Sequence, residues 1–360
     1  MSKLKHFLQQ SRDRGSFSGA AYSVGNSAGI VERGTVGTLS WDGPSVESDS
    51  LWDLASVTKP IAILPLMVML EQGKCYLDDV ITHFLPEYKD TDKANITLRQ
   101  LLSHSSGIPG QQPLYQTSPT KQDLMAAVRS LPLRYSPGTD VEYTSQGYMI
   151  LGDIIESIAG ASLDIVLQQM VLDPIGLCQT MFNPPKSLHH RIAATEYCEW
   201  RHAVVKGEVH DENAVVLGGI AGHAGLFSTV DDMSLLCQTM LRLGETAQGR
   251  FLQPETVRMM TCNETPSLKL SRGLGWQGRD RHDSPAGDLF SLSSYGHTGF
   301  TGTSIWMDPE ADVFVVLLTN RVHPTRANQT IKRIRSIFHN LAVLSMGNSE
   351  SKQGEAYADS

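Results

Sequence analysis

The chain has 360 residues, 41% of them hydrophobic and 19% charged, with a formal net charge of −8 at pH 7. This is the composition of a globular protein with a sizeable core, and it excludes a disordered or fibrous chain. The acidic balance, with no basic run longer than "IKRIR", argues against nucleic acid as a partner and against a polybasic membrane anchor.

The first residues, "MSKLKHFLQQSRDRGSF", start basic but lack the continuous apolar stretch of an export signal, so a cytoplasmic location is expected. From Gly19 to Gly37, two apolar stretches flank the turn-forming "GNSAG" and predict a β-hairpin. "SVTKPIAILPLMVML", Ser56 to Leu70, predicts a buried helix starting near Ser56, with Pro60 tolerated in its first turn and Pro65 kinking it. Its apolar part is far short of the roughly 20 residues that span a bilayer.

From 83 to 283 the apolar spacing is mostly helical, as in "DLMAAVRSL", "GYMILGDIIESIAG" and "DDMSLLCQTMLRLG". Asp231 and Asp232 open the last of these, where a helix N-terminus favours acids. "TSIWMDPEADVFVVLLTN" predicts a second hairpin with its turn at Asp308-Pro309-Glu310, and "RANQTIKRIRSIFHNLAVL" a closing helix. The polar tail, 347–360, is expected to be disordered.

The implied class is α/β (α+β): an antiparallel sheet built from both chain ends and flanked by helices, with a mostly helical insertion. The expected boundaries are 1–82 with 284–346 for the sheet domain and 83–283 for the helical one. Clefts tend to form where two such regions meet. Five scattered cysteines without a Cys-x-x-Cys pair read as free thiols, not a disulfide framework or zinc site.

Three segments carry possible chemistry. Ser-x-x-Lys occurs four times, at Ser2/Lys5, Ser56/Lys59, Ser118/Lys121 and Ser349/Lys352, so the pattern alone selects nothing. Only Ser56/Lys59 leads into a rigid apolar run, where residues i and i+3 share a helix face and bring hydroxyl and amine together. The same run also suits a buried helix start with a snorkelling lysine. "EYTSQGY" places Tyr143 two residues before Ser145, ahead of a helix. A nearby ammonium would favour the tyrosine anion, although such a segment on its own is more often a packed aromatic and a helix cap. In "YGHTGFTGTSIW", glycines at 296, 299 and 302 leave backbone N–H groups accessible on a strand edge, suited to an extended substrate or an oxyanion.

In this order, "SVTK" at 56–59, "YTS" at 143–145 and "HTG" at 297–299 resemble the three active-site motifs of the serine β-lactamase and penicillin-binding-protein superfamily. The spacing is similar to the class C β-lactamase and DD-peptidase branch, with its related esterases and muropeptide amidases. "LLSHSSGIPG", "YSPGTDVEYTSQGY" and "GGIAGHAGLFSTVDDM" extend the likeness from about Gly19 to Leu344.

The resemblance implies Ser56 as an acylated nucleophile, Lys59 as the partner taking its proton, and Tyr143 as the shuttle to leaving group and water. It implies an oxyanion hole from the N–H groups of Ser56 and Phe300, with Ser145, His297, Thr298 and Gly299 lining the cleft. Two positions depart from the commonest pattern. Ser145 replaces an asparagine that can hold a substrate carbonyl, and His297 replaces a lysine that attracts a substrate carboxylate.

The expected activity is therefore a cofactor-free serine hydrolase. A cell-wall peptide or muropeptide ranks ahead of a simple ester, and both rank ahead of a β-lactam. A non-catalytic penicillin- or peptide-binding protein of the same fold is the alternative of another class. His210, Asp211, Glu212 and His223 lack close metal-ligand spacing and read as structural or cleft-lining. No Gly-x-Ser-x-Gly elbow occurs, which weakens a Ser-His-Asp hydrolase reading.

Overall fold

The computed structural model describes the backbone of residues 1–358 and the side chains of residues 1–347; in the tail expected to be disordered, the side chains after Gly347 and the whole of residues 359–360 lie outside the described residues. Six antiparallel strands form the central sheet: β1 (Gly19–Asn26), β2 (Gly29–Gly37), β3 (Gln277–Gly278), β4 (Tyr295–Thr298), β5 (Ser304–Asp308) and β6 (Val313–Thr319). Their order is β3-β4-β5-β6-β1-β2, so the two predicted hairpins meet where β1 pairs with β6, Tyr22 opposite Leu317. The chain ends thus build one sheet, as the apolar patterning anticipates. The short edge strand β3, within 83–283, joins it as well.

Strand alternation divides the core. Val313, Val315 and Leu317 of β6, with Ala20, Tyr22 and Val24 of β1, point to one face. There they pack with Leu4 and Leu8 of α1 (Lys3–Asp13) and Ile331, Ile334 and Phe338 of the closing helix, Ile331–Ala358. Phe314, Val316 and Leu318 point the other way, into a larger cluster that continues through the helical region without interruption. A strand covered on both faces needs an unbroken apolar run, and Val313–Thr319 is buried throughout.

The segment after Ser56 is where the structure departs from the expected helix. A single 3₁₀ turn, Ala55–Val57, carries Ser56. The helix α2 (Thr58–Ala62) then stops, and α3 (Leu64–Glu71) begins after Ile63. Pro65 therefore lies in the first turn of a new helix, where the missing N–H costs nothing. It marks a restart of the helix instead of kinking one continuous helix.

Two further helices frame the site. In α4 (Gln146–Ala159), nine residues are buried and Gly160, at φ 68°, ends the helix in the left-handed region. In α5 (Val230–Leu241), Thr229 caps the N-terminus and Asp231 and Asp232 occupy the first turn, as predicted. Asp232 also accepts hydrogen bonds from Gln179 N and Thr180 Oγ1, tying that turn to a neighbouring loop. Ser234 of α5 meets Ser23 of β1 across the sheet face, 2.5 Å between hydroxyls. No helix among the described residues is long and apolar enough to cross a membrane.

Candidate active site

Ser56 sits where three pieces of chain converge. Trp52–Asp53 pairs with Leu226–Ser228, and Leu54 N donates to Leu226 O. Ala55 then takes a left-handed conformation, φ 47°, held by its N–H donating to Asp53 Oδ1 at 2.8 Å. A non-glycine residue in that region stores strain and is kept there only by its surroundings. From the other side, Thr301 and Thr303 donate their hydroxyls to the carbonyls of Asp53 and Leu54. This close approach is why position 299 is glycine. A Cβ there would lie 2.0 Å from Thr303 Oγ1 and 2.4 Å from Leu54 O.

Lys59 is fully buried, yet its Nζ has polar partners on several sides. Nζ lies 3.2 Å from Ser56 Oγ, 3.4 Å from Ser145 Oγ and 3.1 Å from the His223 carbonyl. It also stands 4.7 Å from the centre of the Tyr143 ring. Ser145 begins α4, but its hydroxyl makes no capping bond. It is spent on the lysine instead. The Ser2/Lys5 copy of the motif does different work: Ser2 caps α1 by accepting from Lys5 N.

Tyr143 packs against His104 and faces His297, with ring centres 4.7 and 6.0 Å apart. Its buried hydroxyl has no hydrogen-bond partner among the described residues. The structure therefore brings Tyr143 to the cavity that holds Ser56 and His297, without joining its hydroxyl to Ser56 or Lys59.

His297 Nδ1–H donates to the Thr298 carbonyl at 2.9 Å, which leaves Nε2 as an acceptor. Burial first, and then the nearby Lys59 charge, push its pKa down to about 3, so the imidazole is neutral at pH 7. Neither the Ser56 nor the Phe300 N–H bonds another protein group among the described residues. The loop bearing Phe300 is fixed from behind. Arg335 from the closing helix donates to the carbonyls of Gly299 and Thr303, and Arg321 Nε donates to Phe300 O at 2.7 Å.

Two cavities open from Ser56. One is lined by Tyr143, His297, Thr298, Gly299 and Phe300, together with Arg272, Arg321, Lys332 and Arg335. Its far wall is thus basic, and no carboxylate lines it among the described residues. The other is lined by Ser145, Phe300, Tyr115, Gln112, His210, Asp211, Glu212, Asn213 and Arg326, among others. Here the charges are paired: His223 Nε2 with Asp211 Oδ1 at 3.1 Å, His210 Nε2 with Glu196 Oε1 at 2.9 Å, and Arg326 with Glu196 and Glu212. The four residues weighed as metal ligands are drawn into separate pairs and do not converge on one point.

The sequence reading missed the basic wall. Arg272, Arg321 and the pair Lys332/Arg335, i and i+3 within "IKRIR", come from three separate segments, and no spacing links those segments. It also missed His104, stacked between Tyr143 and Tyr148 with its Nδ1 accepting from Thr144 N at 3.1 Å.

The sequence profile of the Beta-lactamase family matches residues 4–337. The chain belongs to that family. Among curated relatives, the Escherichia coli K12 protein named "Putative D-alanyl-D-alanine carboxypeptidase" is 36% identical over 305 residues, 76% of this chain and 70% of the relative. A Salmonella paratyphi B protein of the same name is 33% identical over 315 residues, 79% and 72% of the two chains. The solved structure of EstCE1, a hydrolase with promiscuous acyltransferase activity, superposes with TM-score 0.75 at 23% identity, covering 93% of this chain and 97% of that one. The octameric penicillin-binding-protein homologue of Pyrococcus abyssi gives 0.74 at 20%, over 95% and 76%. At these identities the two structures speak for the fold alone. Together the comparisons make this chain a β-lactamase-fold protein of the Beta-lactamase family, with hydrolases among its relatives and neighbours.

Proposed function

We propose that this protein is a serine hydrolase that cleaves an amide in a cell-wall peptide or muropeptide through an acyl-enzyme on Ser56. The contact between Lys59 Nζ and Ser56 Oγ, at the junction of two cavities, carries this reading. In the first half-reaction Ser56 Oγ attacks the substrate carbonyl as Lys59, in its amine form, takes the hydroxyl proton. The developing oxyanion is held by the free N–H groups of Ser56 and Phe300. Collapse breaks the C–N bond, and Tyr143 hands a proton to the departing amine. Water then attacks the ester, its proton returning through the same groups, and Ser56 is released with a carboxylic acid as product.

The basic wall supports a substrate whose leaving portion bears a carboxylate. His297 brings no charge, but Arg272 is 7% exposed, faces the same cavity and has no partner for its Nε among the described residues. The relatives' name, with its D-alanyl-D-alanine carboxypeptidase activity, fits such a substrate. Ester hydrolysis is the second reading, favoured by Ser145, whose short hydroxyl is spent on Lys59 and offers no amide to a peptide carbonyl.

Treatment with a fluorophosphonate and with a fluorescent penicillin, followed by intact mass and peptide mapping, is expected to place an adduct on Ser56. No adduct with either reagent would overturn the acyl-enzyme. Initial rates on a muropeptide, p-nitrophenyl acetate and nitrocefin then rank the substrates, and nitrocefin as the fastest would overturn the ranking.

A further inference from the structure

The second cavity leads to aromatic surface that the catalytic reading leaves unused. Tyr115 lines the cavity, and its ring meets Trp200 with centres 5.1 Å apart and planes at 61°. Trp200 is 44% exposed, at the tip of a hairpin formed by Tyr197–Cys198 and Ala203–Val204. Such a residue on a loose loop would mean little, but this tip is held. Arg201 donates to the carbonyls of Val209 and His210 at 2.7 and 2.6 Å and pairs with Glu208 at 3.0 Å. His210 is itself a cavity residue.

Tyr115 is fixed with equal care. Its backbone N–H donates to Asn213 Oδ1 at 2.9 Å, and Asn213 Nδ2 donates to the Gln112 carbonyl at 2.8 Å. The platform is therefore built onto the wall of the site, continuous with the nucleophile.

We infer that Trp200 and Tyr115 form a sugar-binding subsite on the acyl side of Ser56, taking the pyranose of a glycopeptide substrate. A pyranose presents a C–H face that lies against an aromatic ring, and a rim of hydroxyl and acetamido groups that need polar partners. The cavity offers such partners beside the rings: Gln111, Gln112, Asn213, Asp211 and Glu212. An aliphatic or aryl acyl chain would use the rings but cover the side-chain amides of Gln111 and Gln112, which bond no protein group among the described residues, without replacing their water, a cost that disfavours it. The basic wall lies across Ser56, so the peptide's carboxylate end and the sugar end point in opposite directions. This subsite rests on the muropeptide reading above and adds the end of the substrate that enters it.

The test is binding to the full chain carrying Ser56→Ala, so turnover does not intervene. Calorimetry compares N-acetylmuramoyl-L-alanyl-D-isoglutamine with the same dipeptide lacking the sugar. The glycopeptide is expected to bind about tenfold more tightly, with Trp200→Ala removing that advantage and Trp200→Phe keeping part of it, as fits one aromatic contact. Equal affinities for the two ligands, the case in which neither binds included, would overturn the subsite. So would an advantage that survives Trp200→Ala in protein of unchanged melting temperature. Cleavage separates this inference from the one it rests on. Glycopeptide bound through Trp200 but never cut by the wild type would sink the proposed reaction and leave the subsite. Muropeptides cut readily but bound no better than free peptide would do the reverse.

Discussion

On one side of Ser56 the wall is arginine and lysine; on the other it is amide, carboxylate and aromatic ring. Both sides share Ser56 and the Phe300 loop, so they differ in what they attract and not in what they can do to it. The basic charges stand with no carboxylate lining their cavity, whereas each charge of the opposite wall has a partner within about 3 Å, such as Asp211 with His223. Unpaired charge in a partly enclosed site is costly unless a ligand supplies the counter-charge. On the function proposed above, the difference gives the substrate a direction: its anionic end toward the basic cavity and its sugar end toward the other.

The largest test removes what the two sides share. Ser56→Ala should lower turnover of every substrate, on the order of 10⁶-fold for a serine nucleophile acting with its base, while its melting temperature stays near that of the parent. Residual rates within tenfold of wild type would break the comparison at its centre. Tyr143→Phe removes a hydroxyl with no partner in the free protein, and should cost about 10²- to 10⁴-fold in kcat if it moves protons. A normal rate would remove it from the reaction.

Arg272→Met then addresses one side alone. It should raise KM for carboxylate-bearing peptides about 10- to 100-fold, the range of a hydrogen bond to a charged group, and affect a neutral ester less. Equal losses on both would mean that the arginine holds the fold and not the substrate. His297→Lys sharpens the same point by adding a fixed cation. It should favour carboxylate substrates over neutral esters by a few-fold, and lower the melting temperature, because Lys59 and Arg272 already repel positive charge there.

The smallest effect is on acid stability. His104, His297 and His339 are all buried and held neutral, the last two with pKa values of about 3, by burial first and by neighbouring cations second. Their folded values lie below the usual 6.5, so the unfolded chain takes up protons first. Their contribution is present above about pH 6.5 and is lost as pH falls toward 3, by up to about 1.4 kcal/mol per pH unit for each histidine. Glu196, held down to about 2, adds its own loss only below about pH 4.5. Urea unfolding at pH 7, 6 and 5 should show a steady decline that His339→Gln makes shallower. Asp153, pushed up to about 6 by burial, opposes the decline, so the deciding result is the difference: identical profiles for wild type and His339→Gln would contradict the neutral histidine.

Legibility in the sequence follows the range of the interactions. Hairpins and long helices could be read because each is written in consecutive residues, as in Val313–Thr319. Ser56, Lys59, Tyr143, Ser145 and His297 could be read as a set because their order resembles a family, although no single motif was decisive. The two-residue strand Trp52–Asp53 has no period to detect, since its partner lies some 175 residues away. The break at Ile63 and the restart at Pro65 depend on packing. The basic wall was invisible because its cations converge from separate loops and a helix, and convergence leaves no trace in spacing.

Arg335 lies on the closing helix, yet its guanidinium ends on the Gly299 and Thr303 carbonyls, either side of Phe300. The closing helix thus braces the loop that carries the Phe300 N–H beside Ser56. A fusion, truncation or binding partner that shifts that helix by a fraction of an ångström would be felt as a change of rate before any change of fold. With Ser56 and Phe300 in the roles proposed above, activity would double as a strain gauge for the C-terminal helix.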